Sequence, residues 1–487
     1  MINFRPVLLI IGVLISALGG LMILPIIADL TNPDPYLREN WGAFAASCLL
    51  CVFVGLALVA STFGGGMESL SIRQGFLITT FSWVALVLFA AIPFMLSQYH
   101  LNFTDAFFEA MSGLTTTGAT VIVGLDDAPS GLLLWRSILQ WLGGIGIVIM
   151  AIAILPMLSV GGMQLFYTES SERSEKVVPS AFHLSAWIVT IYLVLTAACA
   201  LLYGAEEMSA FDAINHAMAT LSTGGYSTHD ASFAYFQKPA TQWTATVFML
   251  AGALPFVTYI RFVKGERRAF WRDPQVRGLL RFLTLAALAM AAWLWTTRDI
   301  AFLDALRLTA FNITSVVTTT GFASDDYSAW GPLAVAAFLM FTFVGGCTGS
   351  TSGAIKIYRH QVLWLTVRSQ LLRLASPHRV VLLRYGSRKV PPDVPASVLA
   401  FIAVFMATVA VFTIALAGMG LDLETAFSAS AAAITNVGPG LGPIVGPAGN
   451  FAVLPDAAKW VLSVAMLLGR LEIFGVLILF DPQFWRP

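Results

Sequence analysis

Four short stretches, each rich in Thr and closed by Gly, constrain this chain more than any other feature. The first reads Thr115-Thr116-Thr117-Gly118 and the second Ser222-Thr223-Gly224-Gly225. The third is Thr318-Thr319-Thr320-Gly321 and the fourth Thr435-Asn436-Val437-Gly438. Between the first two, the match extends upstream without a gap. Asp105-Ala106 and Asp212-Ala213 keep the same offset from Gly118 and Gly225, and Ala110-Met111 matches Ala217-Met218. Either Gly224 or Gly225 could be the counterpart of Gly118; the ungapped alignment favours Gly225.

Each stretch lies between two long apolar segments and follows a short helix-compatible run, such as Ala106 to Leu114 or Ala310 to Val317. A helix of about ten residues spans only ~15 Å, half of a ~30 Å hydrocarbon core. The pattern therefore predicts a re-entrant hairpin, down as a half-helix and back as extended backbone. Irregular backbone at membrane depth is tolerated only against protein or around water. Gly supplies torsions closed to other residues. Rings of backbone carbonyls can replace the hydration shell of a cation, and helix C-termini aimed at the same axis favour positive charge.

Composition settles the environment. The chain has 487 residues, 57% apolar and 11% charged, whereas a soluble domain carries about 25% charged residues. An integral membrane protein follows. Net charge is zero and gives no sign of nucleic-acid binding. Cys48-x-x-Cys51 has redox or zinc spacing but lies within an apolar run, so packing is the expected role, with no disulfide framework and no structural metal. The first apolar run, Pro6 to about Ile27, has no convincing cleavage site and reads as a retained helix.

The expected architecture is all-α: four covalently linked span–hairpin–span units around one pore, preceded by two further spans. That makes about ten transmembrane helices and four half-helices. The divisions are 1–70 for the N-terminal pair, then 71–175, 176–270, 271–390 and 391–487 for the units, with unit one ending near Leu155. Parallel units place both termini on one side. Arg261, Lys264, Arg267, Arg268, Arg272, Arg277 and Arg281 lie between units two and three. Lys356, Arg359, Arg368, Arg373, Arg379, Arg384, Arg388 and Lys389 lie between three and four. The positive-inside rule makes that side, with both termini, cytoplasmic; the loop from Glu169 to Lys176 is mixed in sign. Asp105, Glu109, Asp126, Asp127, Asp212, Asp325 and Asp326 then fall at the outer mouth, where acids raise local cation concentration.

Two features interrupt the pattern. Unit three's second span is broken by Gly345-Gly346-Cys347-Thr348-Gly349-Ser350-Thr351-Ser352-Gly353, with Lys356 just beyond. Such a run cannot easily hold a helix, and a flexible loop below the filters is a natural gate. In the last span, Arg470 lies about 20 Å along the helix counted from Ala457. It stays charged at any accessible pH. Facing an ion ~10 Å away, it would add a barrier of roughly 0.4 to 1.7 kcal/mol. Glu472, two residues on, points to another face and is not its direct partner.

T-T-T-G-A, S-T-G-G-Y-S-T-H-D, T-T-T-G-F-A and N-V-G-P-G-L-G, with the Gly345 loop, Arg470 and a terminal F-W-R, resemble the Trk/Ktr/HKT potassium transporter superfamily. Within it, the bacterial TrkH membrane subunits are the nearest likeness, over nearly the whole chain. The resemblance implies a potassium pore and a homodimer in the bacterial inner membrane. It also implies a cytosolic nucleotide-binding partner of TrkA type, and no organic cofactor on this chain. Carried over, potassium-coordinating backbone comes from Thr116, Thr117, Gly118, Thr223, Gly224, Gly225, Thr319, Thr320, Gly321, Asn436, Val437 and Gly438. The gate comprises Gly345, Gly346, Thr348, Gly349, Ser350, Ser352, Gly353 and Lys356. Some relatives carry Ser at the first filter position and favour sodium; Gly118 points to potassium. The fourth filter departs from the rest, with Asn436, Val437 and Pro439.

The alternative function is a secondary transporter coupling sodium or protons to a small solute. Such folds usually carry inverted repeats, whereas these four run in one direction. An enzyme is not expected, because no span holds paired carboxylates, H-E-x-x-H or G-x-S-x-G. His216 and His229, in the second hairpin, read as hydrogen-bonding residues.

Overall fold

The computed structural model describes residues 3–32, 34–64, 71–153, 181–378, 380–386 and 388–486. Leu155, the loop from Glu169 to Lys176 and Arg379 lie outside the described residues. The described chain is helical apart from two pairs of two-residue strands. Seven helices are long and apolar enough to cross a membrane, or nine if each of two bent pairs counts as one span. The tenth expected place belongs to Pro332–Phe341, only ten residues long and half of what a bilayer needs.

The N-terminal pair packs first. Arg5–Leu21 lies against Trp41–Thr62. A Cβ on Gly12 or on Gly55 would come within 2.9 Å of the other's carbonyl oxygen. Small residues let helices approach this closely where no hydrophobic effect drives them together.

The first helices of the four units are Ile72–Ala90, Ala181–Glu206, Pro274–Thr297 and Asp393–Gly418. Each turns one stripe inward. In the last, Val394, Val398, Phe401, Phe405 and Val409 are buried at helical spacing, while Val411 and Ile414 are exposed. An apolar side exposed to a hydrocarbon solvent needs no cover.

The half-helices are Phe103–Leu114, Ala210–Leu221, Phe302–Val317 and Leu423–Thr435. Local chemistry starts three of them: Asn102, Ser209 and Asp422 each accept a hydrogen bond from the backbone N–H three residues on, a standard N-cap. The third is longer than expected, at 16 residues.

Packing closes these helices into a ring. The second half-helix lies against Ser130–Ala153 of unit one, and the third against Pro239–Ala253 of unit two. The first lies against Asp456–Arg470 of unit four. The Trp460 and Phe107 rings pack at a tilt, with centroids 4.6 Å apart, and Lys459 Nζ meets Asp105 at 2.5 Å across that last seam.

One expectation is corrected. The break was anticipated in unit three alone, but the second helices of units two and four also bend. Pro239–Ala253 turns by 94° into Phe256–Val263, and Asp456–Arg470 turns by 103° into Phe474–Phe480. Pro255 explains the first, since proline cannot continue the hydrogen-bond ladder.

Candidate functional site

Each half-helix ends in the same way. Thr116, Thr223, Thr319 and Asn436 adopt left-handed backbone, with φ of 53°, 52°, 58° and 56°. The N–H of each bonds the carbonyl three residues back, at 3.0–3.2 Å. The next N–H in each case reaches five residues back, at 2.8–3.0 Å. This is a Schellman closure, but with Thr in place of the usual Gly at three of the four ends. Left-handed β-branched residues are strained, and such strain tends to gather where backbone must be held for a purpose. Two residues further on, Gly118, Gly225, Gly321 and Gly438 have φ of 84°, 80°, 84° and 100°. Gly225 is therefore the geometric counterpart of Gly118, and Gly224 matches Thr117, Thr320 and Val437.

These glycines form a closed circuit. A Cβ on Gly118 would strike Gly224 O, one on Gly225 would strike Thr320 O, and one on Gly321 would strike Val437 O. Gly438 completes the circle against Thr117 O. Gly118, Gly225 and Gly321 also line one cavity of about 70 Å³ together with Pro439. Eight of the twelve residues named from sequence thus meet in one ring, and Thr116, Thr223, Thr319 and Asn436 directly precede them in the chain.

Side chains in the ring turn to protein. Thr115 and Thr117 hydroxyls meet at 2.7 Å and those of Thr318 and Thr320 at 2.8 Å. Thr115, Thr318 and Thr435 each bond a carbonyl of their own half-helix at 2.6–2.7 Å. Among the described residues, Gly224 alone of the twelve filter positions has a carbonyl that accepts a hydrogen bond, from Gln140 at 2.6 Å. Buried carbonyls are nearly always paired, so the others form a set of acceptors suited to a bare cation. Gln140 was not foreseen. Its amide occupies the space a side chain at 224 would fill, and its oxygen accepts from Tyr226 N at 3.0 Å.

The Gly345 loop lies directly behind the half-helix ends. Val344-Gly345 pairs in parallel with Ile355-Lys356, so the loop closes on itself. Inside it, Ser352 Oγ accepts from Gly346 N at 2.9 Å, Ser350 Oγ donates to Cys347 O at 2.6 Å, and Lys356 Nζ donates to Ser352 O. It is stitched outward to three units. Thr348 N donates to Gln275 at 2.8 Å, and Gly349 O accepts from Phe256 N at 3.0 Å. Thr351 Oγ1 donates to Leu221 O at 3.1 Å. Gly353 N donates to Thr319 Oγ1 at 2.7 Å, and Ala354 N to Thr435 O at 2.9 Å. The loop residues from Gly345 to Lys356 are buried.

Arg470 ends its helix at the 103° bend, where a cation suits the helix terminus. Its guanidinium donates to Thr351 O of the loop at 2.8 Å and to Gly143 O of unit one at 3.1 Å. Glu472 instead pairs with Arg359, which stacks on Phe401 at 3.6 Å. Lys356 and Arg359, counted from sequence among the loop cations, are both buried.

The acidic mouth is reassigned in part. Glu109 is fully buried and bonded to Arg136 at 2.8 Å. Asp105 holds Lys459, and Asp325 accepts from Trp330 Nε1 at 2.7 Å. These acids brace loops, while Asp126 and Asp127 are exposed. His229 lies between Asp126, at 2.6 Å, and Asp212, at 3.6 Å, and stacks on Tyr235 at 3.5 Å. Burial works against its charged form, but the interactions with the Asp212 and Asp126 carboxylates outweigh it and raise its pKa. Burial likewise opposes ionisation of Asp126, and the His229 contact overcomes it and lowers that pKa.

Comparison with known proteins identifies the family. The family model described as TrkH, a cation transport protein, matches residues 43–486. The Trk system potassium uptake protein TrkI of Halomonas elongata is 47% identical over 99% of this chain and 97% of its own length. The Trk system potassium uptake protein TrkH of Escherichia coli K12 is 36% identical over 99% of this chain and all of its own. The crystal structure of the potassium transporter TrkH from Vibrio parahaemolyticus superposes with a TM-score of 0.91, at 36% identity and full coverage of both chains. On this evidence the chain belongs to the TrkH family of cation transport proteins.

Proposed function

We propose that this chain is the membrane subunit of a potassium uptake system, conducting potassium through a ring of four backbone filters. The closed circuit of Gly118, Gly225, Gly321 and Gly438, each against the next strand's carbonyl, carries the reading. Carbonyls of Thr116 to Gly118, Thr223 and Gly225, Thr319 to Gly321 and Asn436 to Gly438 stand in for the water that potassium sheds, while that of Gly224 is held by Gln140. Potassium is cargo, driven inward by the membrane potential at ~2.3 kcal/mol per charge per 100 mV; no chemical step is involved.

The loop Gly345–Lys356 acts as the gate, held shut by Arg470 through Thr351 O. Arg470 also raises the barrier to passage. The subunit works as a homodimer in the bacterial inner membrane with both termini cytoplasmic. A TrkA-type nucleotide-binding partner docks on the side where Arg267, Arg268 and Arg272 are exposed. The names of the relatives support potassium and a multi-component system.

The test is Gly321→Ser in proteoliposomes, comparing rubidium with sodium flux. A side chain there meets Val437 O, so preference for rubidium should relax. An unchanged ratio in a protein that still conducts would remove the filter reading.

A further inference from the structure

Counting nine residues back from each filter glycine reaches Glu109, His216, Asn312 and Ala429. Three of these side chains make the same kind of contact. Glu109 accepts from Thr120 Oγ1 at 3.0 Å and from Val121 N at 2.9 Å. His216 meets Ser227 Oγ at 2.9 Å. Asn312 donates to Ser324 Oγ at 2.9 Å and accepts from Ser324 N at 3.2 Å. In each unit the partner lies two or three residues beyond the filter glycine. One side chain therefore ties the half-helix to the strand that leaves its filter.

The ties differ in strength by chemistry. His216 Nδ1 faces Asp212 O at 2.9 Å, so that nitrogen carries the proton and Nε2 accepts from Ser227. Asn312 repeats the arrangement, with Nδ2 donating to Leu308 O at 2.8 Å. Both are neutral. Glu109 is ionic: Arg136 Nε donates to it at 2.8 Å, and Arg136 also donates to Thr120 Oγ1 at 3.2 Å and to Ser227 O of unit two at 2.8 Å. Arg136 lies 4.0 Å over the Tyr226 ring, whose hydroxyl donates to Glu109 O at 2.9 Å. This cluster clamps filters one and two together. Unit four has no such tie from Ala429; Ser428 reaches Leu441 O at 3.3 Å, and Pro439 stiffens the strand.

A ring that discriminates by carbonyl placement loses discrimination when its strands can relax around a smaller ion. Charge-assisted bonds resist such relaxation more than neutral ones. Buried ion pairs are weak contributors to net stability, which makes geometric control the better account of Glu109 and Arg136. We propose that the side chain nine positions before the filter glycine is a specificity-determining brace in units one to three, with Glu109–Arg136 the stiffest and His216 and Asn312 weaker. These are positioning residues that do not touch the ion. The inference rests on the filter reading above.

The test uses the full-length protein in proteoliposomes, with rubidium and sodium as probes. Glu109→Gln should lower the rubidium-to-sodium flux ratio by about tenfold, as loss of a charged hydrogen bond suggests. His216→Ala and Asn312→Ala should each lower it by about threefold, as loss of a neutral one suggests. His216→Asn, which copies unit three, should restore most of the ratio lost in His216→Ala. Should Glu109→Gln fail to fold, the Ala and Asn variants at His216 decide alone. Variants that conduct with the wild-type ratio, while Gly321→Ser relaxes it, overturn the braces and leave the filter standing. An unchanged ratio in Gly321→Ser as well overturns both.

Discussion

The ring of filters and the loop beneath it are built on opposite plans. The ring repeats one backbone solution four times, with matching torsions and matching hydrogen bonds in every unit. The loop occurs once, in unit three, and its outward bonds go to dissimilar partners in units two, three and four. Ring positions are over-determined by their symmetry, whereas the loop is held by a handful of dissimilar contacts. A region fixed many times over suits discrimination between ions; a region fixed by a few separable bonds suits opening and closing.

Substitutions in the two regions should therefore have opposite signs. The largest effect is expected from Gly118→Ala, which combines a φ of 84° with a collision against Gly224 O. Strain of about 3 kcal/mol corresponds to roughly a hundredfold fall in rubidium flux at 1.4 kcal/mol per decade. Flux at or near the wild-type level would erase the contrast. Arg470→Gln should act the other way, since it removes the charge from bonds to Thr351 O and Gly143 O. Losing about 1.5 kcal/mol of loop anchoring should raise flux roughly tenfold without changing the rubidium-to-sodium ratio. A fall in flux would place Arg470 with the ring and not with the loop. Gly353→Ala, whose Cβ would press on Thr435 O, should raise flux more modestly, by about threefold if ~0.7 kcal/mol of anchoring is lost.

The smallest effect concerns the mouth. His229 faces Asp126 and Asp212, with Asp230, His216 and the Tyr235 ring close by. Its pKa is raised in the fold. The stabilisation is thus complete below the ordinary value of about 6.5 and is lost as pH climbs through the raised one. Melting temperature should fall slightly with rising pH across that window, by under about 1 kcal/mol of stability, because the cluster meets solvent. His229→Gln should flatten this slope, and an equally steep slope in the variant would discard the assignment.

The ring was legible because Gly closes all four stretches, at positions with a φ of 80° to 100° where a Cβ would strike the next strand; the left-handed turns at Thr116, Thr223, Thr319 and Asn436 left no such mark. Of the loop's glycines, Gly349 is the one with a positive φ; the loop was legible on a different ground, because its run of Gly and Ser cannot easily hold a helix. The bend after Arg470 was not. It turns on Glu472 and Ile473, with φ of 61° and 49°, and neither residue type advertises a left-handed backbone. The bend in unit two carried a signal in Pro255 that a reading for apolar length passed over. Glu109 was placed at the mouth because acids in a hairpin are ordinarily solvated. Its partner Arg136 lies 27 positions away, and only tertiary packing reveals that the two meet. Gln140 was hidden likewise, one polar residue in an apolar helix whose use depends on Gly224 of another unit.

On the proposed filter reading, all four strands are encoded in one reading frame, so a single codon change alters one quadrant of the passage and leaves three as they were. In an assembly of identical subunits the same change would strike four times at once. The fourth quadrant already holds the shared backbone shape with Asn436 and Val437 in place of Thr. A protein so organised can have its ion preference adjusted by small increments, a route closed to a strictly symmetric channel.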